Sequence, residues 1–193
     1  MKLIVTVFFH LILISSLAFA QVGNQPGTFK PGSEPDGFRG INWGTHISQL
    51  KDMSQVYEDG DRKYYERKKD ELEIGGAKLH KIIYVFWRDR LMEVRVAILK
   101  NYGNPKDQLS NFKLVREMCF DKFGERSKPL LGKEEYSWVG TKTWMYLGYE
   151  EPGFMRLIVG STELNQQRKA LEEQKAQLQE FQKKKKSKSA KGF

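Results

Sequence analysis

The sequence contains almost none of the residues that cross-link small proteins or build metal centres. Its 193 residues include one cysteine and three histidines. A single thiol cannot form an internal disulfide, and neither His46 nor His80 has a second ligand at a metal-binding spacing. We therefore predict no disulfide, no metal and no other cofactor, and a fold stabilised by apolar packing. Cys119 lies in a predicted helix and is expected to be a buried small hydrophobe.

Catalytic motifs are also missing. The sequence has no G-x-S-x-G, no H-E-x-x-H and no glycine-rich phosphate loop that opens a helix. The neighbouring acids Glu71 and Glu73, or Glu134 and Glu135, are the pairs available for acid–base chemistry, and their sequence context indicates neither burial nor a shifted pKa. We predict that the protein is not an enzyme; an envelope hydrolase that uses paired acids and a histidine is the remaining catalytic alternative.

Long apolar runs are absent except at the N-terminus. Lys2 precedes an apolar stretch that ends in Ala18-Phe19-Ala20, the order of charged, apolar and small residues that is typical of a secretory signal peptide. We predict that residues 1–20 are such a signal, cleaved before Gln21, with a retained anchor as the alternative. The mature protein is then periplasmic or secreted, with no transmembrane span after cleavage.

Positive charge is concentrated at the C-terminus. The chain has a net charge of +9, and six lysines without any acid follow Gln182. A basic run of this kind favours an anionic membrane or envelope surface, or a partner protein. Nucleic acid is a less favoured partner because the body of the chain is nearly neutral. The alternative is a solvated tail that only aids solubility. The predicted binding residues are Lys183, Lys184, Lys185, Lys186, Lys188 and Lys191.

Composition divides the rest of the chain into four segments. Residues 21–37 are rich in glycine and proline and predict a flexible leader. An α+β domain is expected over 38–160, an amphipathic helix over 161–182, and a disordered basic tail over 183–193.

The predicted domain has two units, each a helix followed by an antiparallel meander. In the first unit a strand enters at Phe38, Thr45 caps a short helix that carries Ile47, Leu50 and Met53 on one face, and strands follow. In the second unit a helix begins at Asn104-Pro105 and precedes three strands. This order favours α+β over a parallel fold, as an antiparallel twisted sheet with the helices on one face and a further helix at the C-terminus. The predicted turns are Asp59-Gly60, Gly75-Gly76, Arg88-Asp89-Arg90, Gly140 and Pro152-Gly153.

Aromatic residues allow two interpretations. Trp87, Trp138 and Trp144 lie on strand patterns and are expected to fill the core. Tyr57, Tyr64 and Tyr65 flank a predicted hairpin, where cross-strand pairing is the favoured interpretation and an exposed aromatic edge is the alternative. An aromatic-lined cleft between sheet and helix would instead make the protein a small-ligand carrier, which is our alternative prediction for its function.

The C-terminal helix carries one leucine per heptad. Leu164, Leu171 and Leu178 recur every seven residues, and Phe181 follows one turn later. This is half of a coiled-coil seam, so three arrangements stay open: docking on the body, pairing with another chain in a homo-oligomer through residues 161–182, or a solvated helix.

The opening of the domain resembles a loose group of small exported bacterial domains. The stretch Phe38-Arg39-Gly40-Ile41-Asn42-Trp43-Gly44-Thr45 is similar to their F-x-G-I-x-W-G-T-like opening. Their meander contains a W-x-G-x-L-like turn, which here is Trp87-Arg88-Asp89-Arg90-Leu91 without the usual glycine. The resemblance covers about residues 38–160. Its helix-plus-meander layout is similar to that of β-lactamase-inhibitor-like folds, which implies binding to other proteins rather than catalysis and supplies no functional residue.

Overall fold

The computed structural model describes residues 27–98, 105–125, 134–150 and 154–190. It has one antiparallel sheet of eight strands, a small separate hairpin and two α-helices, which confirms the predicted α+β class and the C-terminal helix. The elements are β1 (Gly37–Phe38), β2 (Ile41–Asn42), a 3-10 helix (Ile47–Gln49), β3 (Met53–Asp59), β4 (Arg62–Arg67), β5 (Glu73–Ile74), β6 (Ala77–Trp87), β7 (Arg90–Ile98), α1 (Pro105–Phe123), β8 (Tyr136–Val139), β9 (Thr143–Glu150), β10 (Phe154–Ser161) and α2 (Thr162–Ala190).

Two meanders join to make the sheet. The strand order is β3-β4-β6-β7-β10-β9-β8, with β5 paired to the start of β6. The antiparallel pairing of β7 with β10 joins the first meander to the second, as the predicted two-unit arrangement requires. The turn at Gly75-Gly76 has φ values of +56° and +80°, which glycine adopts without steric cost in a two-residue hairpin.

The first predicted helix is shorter than expected. His46, rather than Thr45, caps it, and it ends as a 3-10 helix at Gln49. A long-range backbone hydrogen bond accounts for the shorter helix. The Ile47 N–H donates to the Asp89 carbonyl over 2.9 Å, which holds this segment against the β6–β7 turn. Met53 was predicted on the helix face; it lies in β3, paired with Arg67.

The two helices pack on opposite faces of the sheet. Residues of α1, including Phe112 and Val115, join the cluster that contains Tyr84 and Phe86. Leu164 of α2 instead packs with Val85 and Trp87 of the same strand, β6. Because successive strand residues point to opposite faces, α2 covers the face that α1 does not. The prediction that the helices share one face is therefore wrong, and β6 is covered on both faces.

Part of the predicted flexible leader is packed against the sheet. Val139 N–H donates to the Gly27 carbonyl over 2.7 Å, so residue 27 lies beside the edge strand β8. Phe29 is buried against Phe123, with ring centroids 5.7 Å apart. The carboxylate of Glu34 accepts backbone N–H bonds from the β8–β9 turn. The prediction of a flexible leader is thus wrong for 27–37, because this segment pairs with the edge strand at Gly27 and is fixed by Phe29 and Glu34. Residues 21–26 lie outside the described part of the chain.

The motif that opens the domain has a structural role. Arg39 and Gly40 form the two-residue turn between β1 and β2, both with positive φ. Trp43 Nε1 donates to Thr143 Oγ1 on β9 over 2.7 Å, and Gly44 N–H donates to the Leu91 carbonyl of β7 over 2.9 Å. These residues therefore fasten the β1–β2 hairpin to both meanders.

Candidate functional site

The start of α2 is anchored to the sheet. The Ser161 hydroxyl accepts the Leu164 N–H over 3.2 Å, which makes Ser161 the N-cap of α2. Thr162 donates its N–H to the Lys142 carbonyl over 2.9 Å and its hydroxyl to the Gly140 carbonyl over 3.1 Å. These bonds fix the start of α2, which follows β10, against the β8–β9 turn.

Only the first half of α2 docks on the body. Leu164 is buried and Leu171 packs on the same cluster of the sheet. Lys175 Nζ lies 3.4 Å from Asp61 Oδ2 in the β3–β4 turn. Residues 172–184 are all exposed, and Leu178 and Phe181 keep 58% and 66% of their surface in contact with solvent. Of the three arrangements left open by the sequence, the described residues show docking for the first two heptads and a solvated helix beyond them; no coiled coil is evident among them.

The part of α2 that follows Lys175, residues 176–190, is here called its projecting half. The predicted lysines lie on this projecting half or beyond it. Lys183 and Lys184 are exposed, and Lys184 Nζ forms an i,i+4 ion pair with Glu180 over 2.6 Å. Lys185, Lys186 and Lys188 belong to the same helix, and Lys191 lies outside the described residues. The helix was predicted to end at 182 but continues to Ala190, so the prediction of disorder is wrong for 183–190. A preformed helix extends at low cost, and lysines near its C-terminus interact favourably with the helix dipole.

A cavity of about 300 Å³ lies between the C-terminal half of α1 and the sheet. Met145 and Leu157 form its floor, and Met118 and Phe123 of α1 form one wall. This cleft differs from the aromatic-lined one expected for a ligand carrier. Among its described lining residues, methionine and aliphatic side chains predominate, and Phe38 and Phe123 are the aromatic ones.

A polar network lies next to this cavity. Tyr84 donates its hydroxyl to Asp70 Oδ2 over 2.7 Å, and Arg39 Nη1 lies 2.5 Å from Asp70 Oδ1. Arg39 also donates to the backbone carbonyls of Glu71 and Glu73. Burial, followed by the hydrogen bond to Asp70, raises the pKa of Tyr84 well above its ordinary value. The hydroxyl therefore stays protonated, and the network holds the 68–73 loop against β6.

The turn at Arg88-Asp89 adopts a conformation that explains the glycine of the W-x-G-x-L-like pattern. Arg88 and Asp89 have φ values of +50° and +62°, in the left-handed region where glycine is favoured. Asp89 is tolerated because aspartate is among the residues that enter this region most readily. Its carboxylate also accepts a hydrogen bond from Lys63 Nζ over 2.9 Å.

We expect the ion pairs Arg67–Asp52 and Lys63–Asp89 to make the free energy of unfolding depend on pH. Hydrogen bonds from Arg67 and Lys63 lower the pKa of Asp52 and Asp89, respectively, below the ordinary 3.8. A depressed pKa in the folded state stabilises the protein above the ordinary value, and this contribution is lost as pH falls through the folded value. The double variant Asp52→Asn, Asp89→Asn should flatten the fall in melting temperature between about pH 5 and about pH 3.

The effect should be small, because both carboxylates are partly exposed to solvent. Asp121→Asn, on the exposed surface of α1, is the matched control and should retain the parental pH profile. An unchanged profile in the double variant would show that other groups dominate acid unfolding.

Residues considered for catalysis do not converge in the described structure. The His46 ring caps the 3-10 helix by accepting the Ser48 N–H over 3.2 Å, and His80 is exposed on β6. Glu73 pairs with Lys78 over 2.5 Å and Glu134 with Arg116 over 2.8 Å. Within the described residues, no group of three or more His, Cys, Asp or Glu side chains is placed to hold a metal ion.

Sequence reasoning missed the roles of Phe29 and Glu34. The one feature of the sequence that could have indicated packing of this segment is Phe29, a lone aromatic residue among glycines and prolines.

Cys119 is buried as predicted, and burial raises the pKa of its thiol to about 12. Trp87 and Trp138 are buried as predicted and Trp144 is half-buried, while Tyr57 pairs with Tyr64 across the β3–β4 hairpin, their ring centroids 5.3 Å apart.

Comparison of this chain with family models, with curated proteins and with solved structures gives no match in any of the three. Across the part of the chain that the structure describes, no helix is long and apolar enough to cross a bilayer.

Proposed function

We propose that this chain is an exported, non-enzymatic binding protein of the bacterial periplasm or envelope, whose C-terminal helix contacts an anionic surface. The sheet with α1 acts as the scaffold, and α2 is the contact element. The observation that carries the proposal is the projection of α2 beyond Lys175, with exposed apolar and basic side chains and no packing on the body over residues 176–184.

The composition of the projecting half matches a membrane-surface helix. Leu178 and Phe181 are three residues apart and therefore lie on one side of the helix. The four consecutive lysines that follow place cations beyond this apolar pair. Each lysine near an anionic lipid surface contributes about 1 kcal/mol, and salt screens this attraction. A projecting helix of about 15 residues is only marginally stable in water, so contact with a surface would also stabilise it.

Pairing with a second copy of the chain is less favoured. Leu164 and Leu171 are used in packing on the sheet, which leaves only Leu178 and Phe181 for an intermolecular seam. A two-stranded coiled coil needs apolar residues at both core positions over several heptads. A different protein could also bind to this helix in place of an anionic surface. The experiment below distinguishes these two kinds of partner.

The test compares binding of residues 21–193 to vesicles of phosphatidylglycerol and of phosphatidylcholine at low and high salt. We expect binding to the anionic vesicles only, and at least about tenfold weaker binding when Lys183, Lys184, Lys185 and Lys186 are changed to glutamine. The control variant carries glutamine at four exposed lysines of the body, which are Lys30, Lys51, Lys68 and Lys142.

Equal loss of binding in the two variants would show a general charge effect and overturn the role of the helix. Absence of binding to anionic vesicles, with capture of a protein partner that depends on Leu178 and Phe181, would replace the surface by a protein. Salt-independent vesicle binding would also contradict the electrostatic part of the proposal.

A further inference from the structure

The cavity beside α1 has walls suited to a flexible apolar chain. Its volume is about 300 Å³, at the lower end of the range for small-molecule sites. Met118 and Met145 contribute thioether side chains from opposite sides, and Leu157 and Val159 extend the floor along β10. Methionine side chains adapt to irregular and mobile ligands because they are unbranched and polarisable. An aliphatic chain fits these walls better than a flat polar ring, which would need hydrogen-bond partners.

The charges at the cavity have one sign. Arg39 and Lys122 are the only charged side chains among its described lining residues. Apolar walls with a cation and no acid favour a ligand that has an apolar body and an anionic end.

Lys122 is better placed than Arg39 to hold the anionic end. The Arg39 guanidinium is engaged by the Asp70 carboxylate and by the carbonyls of Glu71 and Glu73. In contrast, no described acid forms a salt bridge with Lys122, whose Nζ lies 5.5 Å from the centroid of the Phe123 ring. The lysine is exposed while Phe123 is buried, so the ammonium group stands at the boundary between cavity and solvent.

We propose that this cavity binds a single-chain aliphatic carboxylate, with the chain between α1 and the sheet and the carboxylate at Lys122. A water-sized group occupies about 30 Å³, so the cavity accommodates about ten methylene-sized groups. The ligand class is therefore a medium-chain fatty acid or a carboxylate of similar shape. This site is separate from α2, which lies on the other face of the sheet.

The test uses residues 21–193, which include every described residue, with decanoate as the probe. Decanol has the same chain without the charge, and decyltrimethylammonium carries the opposite charge. We expect decanoate to raise the melting temperature in a saturable manner, because a ligand that binds the folded state stabilises it. Decanol should bind more weakly, and decyltrimethylammonium should give no saturable shift below its micelle concentration.

Three variants separate the contributions of wall and charge. Met118→Trp fills the cavity and should abolish saturable binding of decanoate and decanol. Lys122→Gln should weaken decanoate binding about fivefold and leave decanol unchanged, since one exposed ion pair is lost. Lys113→Gln removes an exposed lysine of the same helix, away from the cavity, and should bind both probes as the parent does.

The proposal is overturned if decanoate gives no saturable shift below its micelle concentration, or if Met118→Trp keeps the parental affinity while its circular dichroism shows a folded protein. Equal effects of Lys122→Gln and Lys113→Gln would remove the carboxylate contact and reject the ligand class. Vesicle binding through α2 is measured independently, so failure of one proposal leaves the other unaffected.

Discussion

Replacing Trp138 with alanine is expected to lower the free energy of unfolding by about 3–5 kcal/mol, the usual cost of removing a large buried aromatic side chain. Trp138 is fully buried on β8, and its Nε1 donates to the Gly124 carbonyl at the end of α1 over 3.0 Å. Its ring also contacts Phe120 at a centroid distance of 6.2 Å. The substitution therefore leaves a cavity and an unpaired carbonyl at the junction of helix and sheet edge.

Trp144→Ala provides the matched control for this prediction. Trp144 lies on the adjacent strand and pairs with Val139, but its side chain is only half-buried. Within the described residues its indole N–H has no hydrogen-bond partner, so the substitution leaves no described acceptor unpaired. Urea unfolding followed by circular dichroism should show a clearly smaller loss for Trp144→Ala. Equal losses would mean that β8 and α1 are held together by other contacts than those of Trp138.

Replacing Asp70 with alanine is expected to lower the free energy of unfolding by about 2–3 kcal/mol. The Asp70 side chain is 9% exposed and the Arg39 side chain 21%, so both groups are largely withdrawn from water. Removal of the carboxylate leaves the guanidinium without its counter-ion and the buried Tyr84 hydroxyl without its acceptor. The cost falls below that of a fully buried pair because Arg39 keeps two backbone carbonyl partners and some solvent.

Three further variants divide this loss into its parts. Asp70→Asn keeps an acceptor for Tyr84 but removes the charge, and should give an intermediate loss. Tyr84→Phe should cost about 1 kcal/mol, the contribution of one hydrogen bond. Asp59→Ala removes a partner of Arg62 in the exposed β3–β4 hairpin and should cost less than about 1 kcal/mol. A loss for Asp70→Ala no larger than that for Asp59→Ala would contradict the structural importance of the network.

The network and the proposed ligand site share Arg39. Because Asp70 holds the guanidinium, its removal would free a second cation at the cavity. Decanoate binding by a folded Asp70→Asn variant therefore reports whether Arg39 is held away from the ligand. We expect tighter binding of decanoate and no change for decanol; unchanged binding of decanoate would show that the freed guanidinium does not reach the ligand.

The sequence predicted those features that depend on local pattern. The predicted turns Asp59-Gly60 and Arg88-Asp89-Arg90 lie at the β3–β4 and β6–β7 connections, and Gly75-Gly76 identified a hairpin whose two residues both need positive φ. The Asn104-Pro105 start signal predicted α1, and Cys119 within this helix is buried as expected. These features are readable because strand period, helix period and turn chemistry are set by residues close together in the chain.

Long-range contacts decided the features that the sequence did not reveal. Residues 27–37 have the composition of a linker, yet Phe29 and Glu34 find partners on α1 and at the β8–β9 turn. The face on which α2 docks depends on which side of β6 remains uncovered, and that is a property of the assembled sheet. The cavity at Lys122 likewise exists only where α1 crosses β9 and β10. Composition and hydrophobic periodicity therefore determined the fold class of this protein and most of its strands. The packed leader, the opposed helices and the cavity depend instead on contacts between residues that are, in some cases, about a hundred positions apart in the chain. The free energy of such contacts depends on the folded arrangement and not on local sequence.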